Sequence, residues 1–233
     1  MKEARHICVY GASGSGKTFY ALNLIKGAKR VIAFDPMGEF SGKHRFKAVS
    51  CDGRSWRKEL LAYMQANWSK GFQIALTYDT SPALVGHEVY TFLKAVQKSY
   101  LDGKSLDKVV VVLEEADQLI PNQSLPAEIS SLQIGAPTKA RHYGIDLLVL
   151  TQRPQLITTT MRDNSQAQVF FRLGSRSAQQ FCGDELAGAA NTEHNVAWWR
   201  SQLAGLTTGQ HWILRNGQVS NHGPGIDAPA LKG

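Results

Sequence analysis

The chain has 233 residues, 26 of them Lys or Arg and 19 Asp or Glu, giving a formal net charge of +7; 43% are hydrophobic and 19% charged. That length supports one sizeable α/β core and excludes two comfortable domains, and the composition is that of an ordinary soluble globule. No run of about 18 apolar residues occurs, so no helical membrane span is expected, and the opening Met-Lys-Glu-Ala-Arg-His lacks the apolar centre of a signal peptide.

In chain order, an apolar strand over His6–Tyr10 leads straight into Gly11, Ala12, Ser13, Gly14, Ser15, Gly16, Lys17 and Thr18. These eight residues match the phosphate-loop pattern G-x-x-x-x-G-K-[ST] at every fixed position. Thr18 onward, with Phe19, Leu22, Leu24 and Ile25, continues as a helix. The residue types suit the chemistry. The three glycines let the backbone curl its N–H groups inward, and a helix N-terminus adds partial positive charge. Lys17 then reaches the β- and γ-phosphates of a nucleoside triphosphate, and the Thr18 hydroxyl ligates Mg²⁺.

A second strand, Arg30–Asp35, ends in a carboxylate and is stopped by Pro36 and Gly38. The loop Asp35–Phe40 therefore lies at the strand ends, where ligands of open parallel sheets bind. Lys43, Arg45, Lys47, Arg54, Arg57 and Lys58 follow, opposed by Asp52 alone. That local excess suits a phosphate backbone, and equally a solvated face. A weak strand at Phe46–Val49, a helix from Ser55 to Trp68 and a strand over Phe72–Tyr78 come next. The helix predicted over Pro82–Tyr100 presents Val85, Val89, Phe92, Leu93, Val96 and Tyr100 as a core face.

Val109–Leu113 reads as a strand buried on both faces, delivering Glu114 and Glu115 at its end in the manner of a Walker B element. The usual order there is Asp then Glu. By position Glu114 holds the Mg²⁺ shell through water, and Glu115 orients and deprotonates the attacking water. From Ile120 to Lys139, prolines and small polar residues predict a loop with one short helix, Ala127–Ile134. A strand over Asp146–Leu150 carries Gln152 to the same edge as Glu115. Gln168–Leu173 is the last core strand, and Ser177–Trp199 is helical with breaks at Gly183 and Gly188. Gly209–Ser220 reads as a hairpin with an Asn-Gly turn. Residues 1–220 are expected to form one domain and 221–233 an extended tail. Cys8, Cys51 and Cys182 are widely spaced, with no C-x-x-C pair, and read as free thiols in a reducing compartment.

Together, the phosphate loop, the strand ending Asp-Pro-Met-Gly-Glu, the strand ending Glu-Glu-Ala-Asp, Arg141-His-Tyr-Gly-Ile145 and Leu148-Val-Leu-Thr-Gln-Arg-Pro154 resemble the FtsK–HerA superfamily of P-loop motor ATPases. The resemblance covers roughly residues 5–175. Lacking the extra domains of most members, the chain is most similar to the genome-packaging ATPases of tailless, membrane-containing double-stranded DNA viruses and phages. The resemblance implies a single RecA-like domain with a mostly parallel sheet, hydrolysis of ATP with Mg²⁺, and a ring of subunits, expected to be a hexamer, through which DNA passes. It puts Arg141 where the family has an arginine finger, with Arg172 and Arg176 as other candidates, and makes Gln152 the polar sensor. Lys43, Arg45, Lys47 and Lys139 are candidate DNA contacts on the loops Met37–Lys47 and Pro121–Lys139.

Genome packaging into a preformed capsid, in the host cytoplasm or at a packaging vertex with capsid or membrane proteins as partners, is the favoured expectation. Other DNA-transfer or phage-assembly ATPases share the same engine. A small P-loop kinase is the reading from a different class, and it would normally show an Arg-rich lid. A switch GTPase would carry Asn-Lys-x-Asp, which is absent.

Overall fold

The computed structural model describes residues 5–44 and 46–223. Its elements in chain order are β1 (Ile7–Tyr10), α1 (Lys17–Ile25), β2 (Arg30–Phe34), β3 (Lys47–Ser50), α2 (Trp56–Asn67), β4 (Phe72–Thr77), α3 (Pro82–Val96), α4 (Lys98–Leu101), β5 (Val109–Leu113), α5 (Ala116–Leu119), α6 (Ser131–Lys139), β6 (Ile145–Thr151), α7 (Thr159–Asp163), β7 (Ala167–Phe170), α8 (Arg176–Ala187), α9 (Val196–Gly205), β8 (His211–Arg215) and β9 (Gln218–His222). The strands form one nine-stranded sheet in the order β3-β4-β2-β5-β6-β1-β7-β8-β9. All pairings from β3 to β7 are parallel; β8 and β9 close that side as an antiparallel hairpin. The α/β class read from the sequence holds.

The central strands are mostly apolar because both faces of the sheet are covered, as parallel sheets require. Side chains alternate between two cores. Ile7, Val9, Val110, Val112, Leu148 and Leu150 pack with Tyr20, Ala21 and Leu24 of α1. Cys8, Tyr10, Val109, Val111, Leu113, Leu147 and Val149 face α2, α3, α6, α8 and α9. The order places β5, β6 and β1 side by side, so the segments leaving their ends converge.

Four boundaries differ from the sequence reading. The helix expected over 82–100 breaks at Gln97, whose fully buried side chain donates Nε2 to the Asp107 carbonyl at 3.0 Å. The segment expected as loop up to Lys139 is helical through Pro137. There Leu132 and Ala136 are buried, and Gly135 lets the helix approach Tyr90, so packing outweighs the lost backbone bond. Gly183 does not interrupt α8. A Cβ there would sit 3.2 Å from the Val196 carbonyl and the Arg200 Cγ, so this glycine serves close packing against α9. The hairpin runs on to His222, and residues 224–233 of the expected tail lie outside the described residues.

Candidate functional site

The phosphate loop is a strained, tightly seated turn. Gly14 and Gly16 have φ of 69° and 110°, a region that only glycine occupies freely. Gly11 is needed for space: a Cβ would lie 2.5 Å from Ser15 Oγ and 2.7 Å from Phe171 Cβ. The loop is pinned on both sides, with Gly11 N–H donating to Thr151 O at 3.2 Å and Ala12 N–H to Arg172 O at 2.8 Å. Lys17 opens α1, whose first N–H groups have no acceptor within the helix. Its Nζ curls back to donate to Ala12 O at 2.9 Å. Burial lowers the Lys17 pKa, against the opposing pull of Glu115 and Glu114.

The end of β5 stands opposite. Glu114 is 9% exposed, and burial together with Asp35, Glu39 and Glu115 pushes its carboxyl up to about 8, with Lys17 opposing. Its Oε2 is buried with no partner. Glu115 adopts φ 48°, ψ 50°, a left-handed backbone rare for a non-glycine residue, and caps α5. Gln152 Nε2 donates to Glu115 Oε1 at 2.9 Å. One residue earlier, Thr151 Oγ1 donates to Asp117 Oδ1 at 2.7 Å and accepts the Arg153 N–H at 2.9 Å. The ends of β5 and β6 are thus laced together by side chains.

Two further segments complete a cavity of about 740 Å³ that includes Lys17, Thr18, Glu114, Glu115 and Gln152 in its wall. After β2, buried Asp35 accepts the N–H groups of Phe40 and Ser41 and the Ser41 hydroxyl, fixing a wide helical turn over Glu39–Lys43. On the other side, the turn before β8 lies on the phosphate loop, with Gly209 N–H donating to Ser15 O at 3.0 Å. Thr208, Met37, Glu39, Asp117 and Arg153 join the wall. The sequence reading gave none of these residues an individual role, although Met37, Glu39, Asp117 and Arg153 stand inside motifs it quoted. Thr208 is brought in by the fold alone.

The remaining predicted residues scatter. Arg141 is exposed on a short turn of helix before β6 and bears electrostatically on His6, at the start of β1. It therefore lies at the strand-start edge, away from the phosphate loop of its own chain. Arg172 and Arg176 are exposed beyond β7 and do not line the cavity. Lys43 lines the cavity and pairs with Glu39 at 2.8 Å. Lys47 lies on edge strand β3, 3.5 Å from Glu59, and Lys139 ends α6. Arg45 lies outside the described residues.

The site's chemistry fits a triphosphate and a divalent cation. Ser15 Oγ is buried without a partner beside the loop, and Glu114 is an unpaired acid surrounded by other acids. Among the described residues no three His, Cys, Asp or Glu side chains group closely enough to hold a metal unaided. A cation beside Thr18 and Glu114 would complete its shell from phosphate oxygens, the usual way Mg²⁺ is bound. No described helix is long and apolar enough to cross a membrane.

The fold, a mostly parallel sheet with a phosphate loop between β1 and α1, is one that solved NTPase structures share. No family model and no curated protein matches the sequence. Solved structures do match the fold. The genome packaging NTPase B204 from Sulfolobus turreted icosahedral virus 2, in complex with AMP, superposes with a TM-score of 0.64 at 15% identity, over 97% of this chain and 100% of that one. The same NTPase bound to ATP-gammaS matches at 0.59 and 16% identity, covering 99% and 100%. VirB4 of Thermoanaerobacter pseudethanolicus matches at 0.59 and 11% identity, covering 96% and 89%.

Proposed function

We propose that this chain is an ATP-hydrolysing motor that drives double-stranded DNA into a preformed viral capsid, acting as a ring of identical subunits, with six as the expected number. The observation that carries the reading is the bond between Gln152 and Glu115 in the same cavity as Lys17, in a chain coextensive with a genome packaging NTPase. Residues Gly11–Thr18 hold the triphosphate. Lys17 exchanges the Ala12 carbonyl for β- and γ-phosphate oxygens. Glu115, oriented by Gln152, takes the proton of the attacking water. Thr18 and Glu114 would hold Mg²⁺, which would supply neutralisation of phosphate charge. Arg141, which faces away from its own site, is offered to a neighbouring subunit's γ-phosphate. Lys43, Arg45, Lys47 and Lys139 are proposed DNA contacts, and capsid or membrane proteins of the packaging vertex are proposed partners within the host cytoplasm.

Steady-state hydrolysis with and without double-stranded DNA, at two salt concentrations, tests this. Wild-type turnover should rise several-fold with DNA and the gain should fade at high salt, as phosphate contacts demand. Lys17→Ala should abolish turnover throughout. Phosphoryl transfer to a small hydroxyl acceptor, with no response to DNA, would replace the motor by a kinase.

A further inference from the structure

The acids and Lys17 settle which end of the cavity takes the terminal phosphate. Glu114, Glu115 and Gln152 leave β5 and β6, on one side of the phosphate loop. The other side is bounded by β7 and β8, from which the turn Thr207–Gln210 reaches over the loop. The rest of a nucleotide must extend toward that side. Phe19, in the first turn of α1 directly after Thr18, has an aromatic ring that is 71% exposed, yet it lines the cavity. It contributes nothing to either core cluster, whereas the next residue, Tyr20, is buried. Thr208, in the turn Thr207–Gln210, lines the same cavity, and that turn is held by one bond of its own and one to the phosphate loop. Thr207 N–H donates to Gln210 Oε1 at 3.0 Å, and Thr208 Oγ1 donates to Gly14 O at 3.4 Å.

We infer that Phe19 is the stacking platform for the nucleobase, with Thr208 closing the opposite wall of that subsite. The inference rests on the nucleotide reading above and adds the part of the substrate that the phosphate loop does not touch. A flat exposed aromatic offers a π-face that any purine can use, so Phe19 contributes affinity for a base without choosing between adenine and guanine.

Calorimetric binding of ATP, GTP and inorganic tripolyphosphate, each with Mg²⁺, to the full chain tests it. Phe19→Ala should weaken ATP and GTP alike by about five- to a hundredfold, the range carried by base–aromatic stacking, and leave tripolyphosphate unchanged. Phe19→Trp should restore nucleotide affinity, and its fluorescence should be quenched by ATP but not by tripolyphosphate. Phe19→Leu, apolar without a ring, should stay weak. Because Phe19 is largely exposed, all three variants should melt with the wild type. Equal loss for tripolyphosphate and ATP, or no loss for either, overturns the platform while leaving the phosphate site standing. A wild type that binds neither ligand overturns the nucleotide reading and the platform with it.

Discussion

The two edges of the parallel sheet handle buried charge in opposite ways. At the strand starts Arg30, Asp146 and His6 each have a countercharge or hydrogen-bond partner within the chain, although Asp146 Oδ2 and His6 Nε2 make no hydrogen bond. Arg30, opening β2, donates Nε to Trp68 O, lies over the Trp68 ring and pairs with Asp107 at 3.0 Å. Asp146 in β6 lies 3.6 Å from Lys108. His6 accepts the Leu147 N–H, and burial lowers its pKa to about 4, so it stays neutral. At the strand ends the balance is left open. Glu114 carries an orphaned oxygen among other acids, Glu115 has a strained backbone, and Lys17 is satisfied only by a carbonyl of its own loop. At the first edge folding brings an opposite charge to each of Arg30 and Asp146. The second is completed only by what binds there, and an uncompensated buried carboxylate is the physical form of that demand.

The sharpest way to break this contrast is Glu115→Gln. It keeps the size of the side chain and removes the proton acceptor, so kcat should fall by about a hundredfold or more while ATP binding persists. Turnover at the wild-type rate would move the base elsewhere and make the strained backbone irrelevant to chemistry.

Glu114→Gln sharpens it through stability. The carboxyl's ordinary value is 4.5, and in the folded protein it is pushed up to about 8. A raised acid contributes stability that is fully present below pH 4.5 and is lost as pH rises through 8, because the unfolded chain gives up its proton first. The glutamine variant has no such loss. Its unfolding free energy should therefore exceed the wild type's by a margin that widens from pH 5 to pH 8, on the order of a few kcal/mol at the top. A margin that stays flat across that range would mean the acid is compensated after all.

Arg141→Ala should have the smallest effect on a single subunit, under about 0.5 kcal/mol in stability and none on nucleotide binding, since the side chain is exposed at the opposite edge. If it acts on a neighbour, mixing variant and wild-type subunits should depress hydrolysis more than in proportion to the variant's share. Strictly proportional loss would assign Arg141 to the structural edge.

What the sequence determined by itself was local and periodic. The glycine spacing of residues 11–16 favours a loop with left-handed turns, because glycine adopts them without the strain a side chain brings. Continuous apolar runs such as Val109–Leu113 announce strands covered on both faces, so the class of fold and the position of Glu114, Glu115 and Gln152 at strand ends were legible. What only the tertiary structure decided depends on which segments meet. Gln97 ends α3 because its side chain is buried against Asp107, residues remote from any helix-stop pattern. Pro137 stays helical because Leu132 and Ala136 are buried and Gly135 fits against Tyr90. That Lys43 also lines the cavity follows from Asp35, which anchors the turn that carries it. Thr208 joins the phosphate loop across nearly the whole chain, and Arg141 falls at the far edge, because strand order is a property of packed layers and leaves no mark in the spacing of residues along the chain.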